Sequence, residues 1–187
     1  PEAQIAIADR YGLLIMMHIS MRQGIADPRN QRDLLDLSHK YPNARWILAH
    51  CARSYSARPI EAAAKVLRQL PNVWYGTSSV CEADAFDALY STVGIERVMY
   101  GSDDVPVGMT RGKYISWGHS WAYLSPENQN LNVLHCDGRL TFVRYEQLRA
   151  MRHAAQRYGA TAAQTAALFN DTAKALVAEV KEGLLNK

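Results

Sequence analysis

Arg45-Trp46-Ile47-Leu48-Ala49-His50 sets four apolar side chains in a row between an arginine and a histidine, too dense a run for a strand with one wet face. A strand buried on both faces reads this way, and such strands belong to parallel sheets covered by helices. Three other segments share the pattern: Leu13-Leu14-Ile15-Met16-Met17-His18, Val73-Trp74-Tyr75-Gly76-Thr77 and Arg97-Val98-Met99-Tyr100-Gly101. Their starts, at about 13, 45, 73 and 97, lie roughly 24 to 32 residues apart, the length of a strand, a helix and two short loops. The intervals carry helical spacing: Leu34, Leu37, Ser38 and Tyr41 after Pro28; Ile60, Ala63, Ala64 and Leu67 after Pro59; Phe86, Leu89, Tyr90 and Val93 before Gly94. Proline suits a first helical turn and glycine the position just past a helix. The expected class is α/β with a parallel sheet.

A helix also runs from Glu2 to Tyr11, with Ile5 and Ala8 on one side. It follows Pro1 directly, with no Met before it, so a beginning is expected to be missing. Past the fourth strand the rhythm fails, and residues 104 to 140 are expected to form a long loop or inserted subdomain. Within it Tyr114, Trp117 and Trp121 keep spacings of 3 and 4, which predicts one packing face of a short helix. Helix resumes with Thr141 as N-cap, Tyr145, Leu148 and Ala155 inward and Gly159 as the stop. Thr161-Ala162-Ala163-Gln164 is a capping box, and Asn170-Asp171 is expected to cap a last helix through Val180.

Of the 187 residues 48% are hydrophobic and 21% charged, values that exclude disorder and leave room for one or two domains. Lys and Arg number 21 against 18 Asp and Glu, without a long basic run, so no nucleic-acid partner is expected. Cys51, Cys81 and Cys136 are odd in number and far apart, which argues against a disulfide framework and for a reducing compartment. No apolar run nears the roughly 20 residues of a membrane span and no signal peptide opens the chain, so a cytoplasmic location without a membrane partner is expected.

The polar residues at the strand ends carry the functional signal. His18 closes the first strand, His50 the second, and Asp103 follows the fourth in Tyr100-Gly101-Ser102-Asp103. In parallel α/β folds the carboxyl ends of the strands face the ligand, so three metal-type groups are expected at one mouth. Arg53 lies in the same loop as His50, and Arg111 and Lys113 follow Asp103, so all three are candidates to hold an anionic substrate group. Asp104 is a supporting acid or a loop charge; His39 and His153 sit on helices as ordinary surface or packing residues; His119 and His135 fall in the insertion. No phosphate-binding glycine motif or serine-hydrolase signature is present.

Leu14-Ile15-Met16-Met17-His18, Ile47-Leu48-Ala49-His50-Cys51-Ala52-Arg53 and Met99-Tyr100-Gly101-Ser102-Asp103, in this order, resemble the amidohydrolase superfamily, in its amidohydrolase-2 branch of hydrolases and decarboxylases. Phe169-Asn170-Asp171-Thr172-Ala173-Lys174-Ala175-Leu176 resembles the family's closing helix. The resemblance implies a (β/α)8 TIM-type barrel of which residues 1–187 are a single partial domain, strands five to eight, with 104–140 inserted after the last strand. It implies that His18 and Asp103 are metal ligands, that Asp103 also accepts a proton, and that His50 polarises substrate, activates water or joins a second metal. A neutral imidazole and a carboxylate suit zinc first, with manganese or iron(II) as alternatives. The family's His-x-His pair on strand one has no counterpart in this chain.

These features point to a metal-dependent hydrolase attacking a C–N or C–O bond of a small, carboxylated substrate. A nonoxidative decarboxylase and a noncatalytic fragment or assembly subunit stand as alternatives. The two strongly apolar sheet edges of a half barrel, Leu13 to Met17 and Val98 to Tyr100, predict a homo-oligomer or dependence on a missing amino-terminal half. Without the family likeness, a small open doubly wound sheet fits the same periodicity.

Overall fold

A computed structural model describes residues 2–104, 106–128 and 138–185. Helix α1 (Glu2–Tyr11) leads into β1 (Leu14–Met17), α2 (Pro28–Lys40) and β2 (Arg45–Leu48). A single left-handed turn, α3 (His50–Arg53), precedes α4 (Ala57–Leu67), β3 (Val73–Gly76), α5 (Ala83–Val93) and β4 (Val98–Met99). The four strands form one parallel sheet in the order β1-β2-β3-β4. Each strand is added on the same side as the last, so right-handed crossovers put all the connecting helices on one face. A doubly wound sheet reverses its order at a switch point, and among the described strands none does.

The register divides the side chains between two faces. Ile15, Trp46 and Val73 are level and share a face with Met17, Leu48, Tyr75 and Val98. That face enters the main core with Leu34, Ile60, Leu67, Phe86, Leu89 and Met151 from the helices. The other face carries Leu14, Ile47, Trp74 and Met99, which form a second, small cluster with Leu176 and Ala173. Both residues belong to α8 (Thr172–Leu185), and Met16, level with Ile47, stays 62% exposed.

Pro28 is the first residue of α2 behind an Asp27 cap, and Gly159 ends α6 (Val143–Tyr158) in the left-handed region, as the sequence predicts. The capping box forms at Thr161 before α7 (Ala162–Ala166). Four expectations are corrected. Tyr114, Trp117 and Trp121 lie on no helix: β5 (Lys113–Trp117) and β6 (Ser120–Leu124) make an antiparallel hairpin whose two-residue loop starts at Gly118, φ +59°. Glycine's access to that φ closes the turn and overrides the 3-and-4 spacing. Tyr145 points outward, 57% exposed, while Val143, Gln147, Ala150, Met151 and Ala154 face the core. Thr141 stands one residue before the cap position and bonds Glu146 Oε1 instead (2.5 Å). Asn170 and Asp171 cap nothing, because a π-turn over Ala167–Asp171 carries α7 into α8 without a break. His135 and Cys136 lie outside the described residues. No described helix is long and apolar enough to cross a membrane.

Candidate active site

His18 follows β1 and is exposed; its ring meets His50 edge-on with centroids 5.3 Å apart. His50 opens the turn after β2, where His50, Cys51, Ala52 and Arg53 have φ of +54°, +51°, +60° and +56°. Each such non-glycine residue costs about 1–2 kcal/mol in this region, so the surroundings must hold the turn in place. Cys51 and Ala52 are fully buried, Arg53 N–H donates to Ala49 O (3.1 Å), and Ser54 N–H donates to His50 O (2.9 Å). The turn brings His50 and Arg53 out of the same loop.

His50 Nδ1 lies 2.9 Å from Ser78 O, beyond the end of β3. A carbonyl only accepts, so Nδ1 is the donor, and in the neutral ring this leaves the lone pair on Nε2 for a ligand or a proton. The next residue, Ser79, is fully buried at φ +61° and donates its hydroxyl to Asp103 Oδ2 (2.6 Å). Asp103 itself stands at φ +56°, its carbonyl accepting from Gly108 N–H at 2.8 Å. The adjacent residues Ser78 and Ser79 thus tie the second strand's histidine to the fourth strand's carboxylate. Sequence reasoning missed Ser79, although Thr77-Ser78-Ser79 is a polar run directly after an apolar strand.

Behind the mouth, Gln147 of α6 is fully buried and its Nε2 donates to Thr77 O (3.0 Å), Thr77 Oγ1 (2.9 Å) and Gly101 O (2.7 Å). It clamps the ends of β3 and β4 together. An aromatic wall extends from the histidines: Tyr55 stacks on His50 (5.9 Å) and Tyr114 (4.7 Å) and meets Trp121 at a tilt (4.5 Å). Burial pushes the Tyr55 hydroxyl well above the usual phenol range, with Tyr114 and the Asp103 carboxylate adding to it, so it stays a neutral donor. Trp117 remains 67% exposed at the hairpin tip, outside this wall.

The cations divide. Arg53 shares the His50 turn; its Nη1 donates to Ile19 O at 3.5 Å and its buried Nε has no partner among the described residues. Arg111 is occupied elsewhere, donating to Leu140 O (3.1 Å) with its guanidinium 5.0 Å over the Phe142 ring. Lys113 lies 4.0 Å from Glu82. Asp104 pairs with Arg144. His39, His119 and His153 are all exposed, as surface residues. Cys51 and Cys81 are free, and burial pushes the Cys81 thiol up to about 12.

A family model described as amidohydrolase matches residues 4–178. The chain belongs to the amidohydrolase family. It is similar in fold to a solved amidohydrolase of Burkholderia multivorans with bound zinc, at 15% identity and a TM-score of 0.57, over 94% of this chain and 56% of that one. An uncharacterized TIM-barrel protein of Bordetella bronchiseptica aligns at 10% identity and a TM-score of 0.44, over 96% and 50%. The chain therefore spans about half the length of these solved proteins. No curated protein matches it.

Family membership raises the question of a divalent metal, which the donor set answers in part. The two imidazoles stand face to edge with a lone pair on offer, but among the described residues no three His, Cys, Asp or Glu side chains are grouped closely enough to hold one ion. A catalytic zinc site takes three protein ligands and an open position. The described residues of this chain do not close such a site.

Proposed function

We propose that this chain is the strand-five-to-eight half of a (β/α)8 barrel and contributes the acid–base part of a hydrolytic site for a C–N or C–O bond in a small carboxylated molecule. The observation that carries the proposal is the junction at the carboxyl ends: His18 against His50, His50 on Ser78, and Asp103 on Ser79. His50 Nε2, its ring held by Ser78 and Tyr55, accepts the proton of the attacking water. Asp103 uses one oxygen for Ser79 and keeps the other for a second proton. Arg53 pairs with the substrate carboxylate, charge-assisted, while Arg111 and Lys113 help only if they leave their present partners. Assayed on carboxylated amides, esters and lactones, His50→Ala is expected to lower turnover by about 100-fold or more. Release of carbon dioxide in place of hydrolysis would replace this proposal with decarboxylation.

His18 and Asp103 are the proposed share of a divalent-metal site, zinc first, to which the described residues add no third close ligand. After dialysis the chain is expected to hold well under one ion per molecule, and His18→Ala to remove what remains. One tightly held ion per chain would refute the incomplete-site proposal.

The proposed partners are a small-molecule substrate and a second polypeptide surface over the thinly covered sheet face. β1 pairs only with β2 among the described strands, and Met16 stands exposed beside it. Unpaired edges with apolar side chains invite association. Light scattering on the purified chain is expected to give a multiple of 21.0 kDa, and a monomer at high concentration would count against it.

A further inference from the structure

The turn that follows β4 ends on a methionine whose sulfur is tied to a charged group. Met109 is 58% exposed, and its Sδ accepts from Arg144 Nη2 at 3.1 Å. The same nitrogen pairs with Asp104 Oδ1, so both of its hydrogens are in use, one on a carboxylate and one on a thioether.

Two backbone bonds enforce this meeting. Val143 N–H donates to Thr110 O (3.0 Å), which seats the first turn of α6 beside Met109, and Gly108 N–H donates to Asp103 O (2.8 Å), which folds the turn back on its own start. Gly108 is buried, and a Cβ there would meet Ser102 O at 2.5 Å and Asp104 Oδ1 at 2.7 Å. The turn thus packs directly on the carboxylate that Arg144 holds. A change at the Met109 sulfur reaches Asp103 and Asp104 through one guanidinium.

A thioether is a weak acceptor but an oxidisable one. When it meets a hydroperoxide, a sulfur lone pair attacks one peroxide oxygen and the O–O bond breaks. Sulfur loses two electrons, and the departing oxygen takes the proton and leaves as water or an alcohol. The sulfoxide formed is polar, and reductases return it to the thioether. Its oxygen accepts more strongly than sulfur, and the three rotatable bonds of the side chain let it turn onto the Arg144 hydrogen that sulfur holds. Asp104 keeps the other hydrogen. Met16 is as open, 62% exposed, but has no hydrogen-bond partner among the described residues, while Met99 (7%) and Met151 (0%) are closed.

We propose that Met109 is a reversible oxidation site for a hydroperoxide, and that its sulfoxide oxygen takes the Arg144 Nη2 hydrogen and ties the turn from Asp103 to Thr110 more firmly to α6. It requires no turnover and uses neither His18 nor His50, so it stands whether or not the proposed hydrolysis does.

Dilute hydrogen peroxide on the full chain, followed by peptide mapping and amide exchange by NMR, tests it. Met109 and Met16 are expected to gain one oxygen each before Met99 and Met151 do. Exchange of the Gly108 amide is expected to slow about threefold once Met109 is oxidised. Met109→Gln, whose side-chain carbonyl is also a strong acceptor, should slow it without oxidant. In Met109→Leu and in Arg144→Gln peroxide should leave it unchanged. The proposal fails if Met109 stays reduced while Met16 is oxidised, or if Gly108 exchange is unchanged or faster after oxidation. It fails too if Met109→Leu or Arg144→Gln slows with peroxide as much as the parent, because the effect then does not run through this contact.

Discussion

Replacing Gln147 with leucine is expected to lower stability by about 1–2 kcal/mol, although the new side chain is apolar and close in size. The amide is fully buried and Nε2 serves Thr77 O, Thr77 Oγ1 and Gly101 O at once. Removing it leaves the part-buried Gly101 O without that donor, at about 1–3 kcal/mol, while Thr77 O keeps the Val80 N–H (3.2 Å) and Thr77 Oγ1 keeps the Gly101 N–H (3.2 Å). The gain from burying methyl groups and from deleting Gln147 Oε1, which has no partner among the described residues, offsets part of this. Gln147→Glu should be worse, because it sets a carboxylate against carbonyl oxygens in a dry interior. Urea unfolding of both variants is the measurement. A leucine variant as stable as the parent would show that α6 does not clamp the ends of β3 and β4.

The physics behind the clamp also explains what the sequence does and does not display. Trp46-Ile47-Leu48 and Val73-Trp74-Tyr75 are legible as strands because burial on both faces leaves no polar alternation. His18, His50 and Asp103 are legible because each interrupts or follows such a run at its carboxyl end. Ser79 and Gln147 are not, since their partners Asp103 and Thr77 lie 24 and 70 residues away and nothing local marks the pairing. The left-handed turn over His50–Arg53 is also hidden: none of its residues is glycine, and local preference argues against the conformation that tertiary packing imposes. Trp117-Gly118-His119-Ser120 misleads in the opposite direction, because rings at helical spacing outweighed a glycine that the hairpin uses as a turn. Tyr145 shows the limit of helical periodicity, which places a stripe but not its edge.

Gly24→Ala is expected to cost about 2–5 kcal/mol and to disturb the site from behind. Gly24 stands at φ +56° in the loop between His18 and α2, its carbonyl accepting from Asn30 Nδ2 at 2.6 Å. A Cβ there would meet Arg53 O at 2.6 Å, a backbone atom of the left-handed turn that carries His50. A flexible side chain can swing aside, but this carbonyl belongs to a turn already held against its own preference, so relief must come from moving the turn or the His18 loop. Gly159→Ala provides the comparison, because Gly159 has φ +73° with nothing within 4 Å of an added Cβ. It carries the conformational cost alone, about 1 kcal/mol. Thermal or urea unfolding of the two variants therefore separates strain from collision: Gly24→Ala should fall below Gly159→Ala by about 1–4 kcal/mol, and equal losses would mean that the His18 loop does not press on the His50 turn.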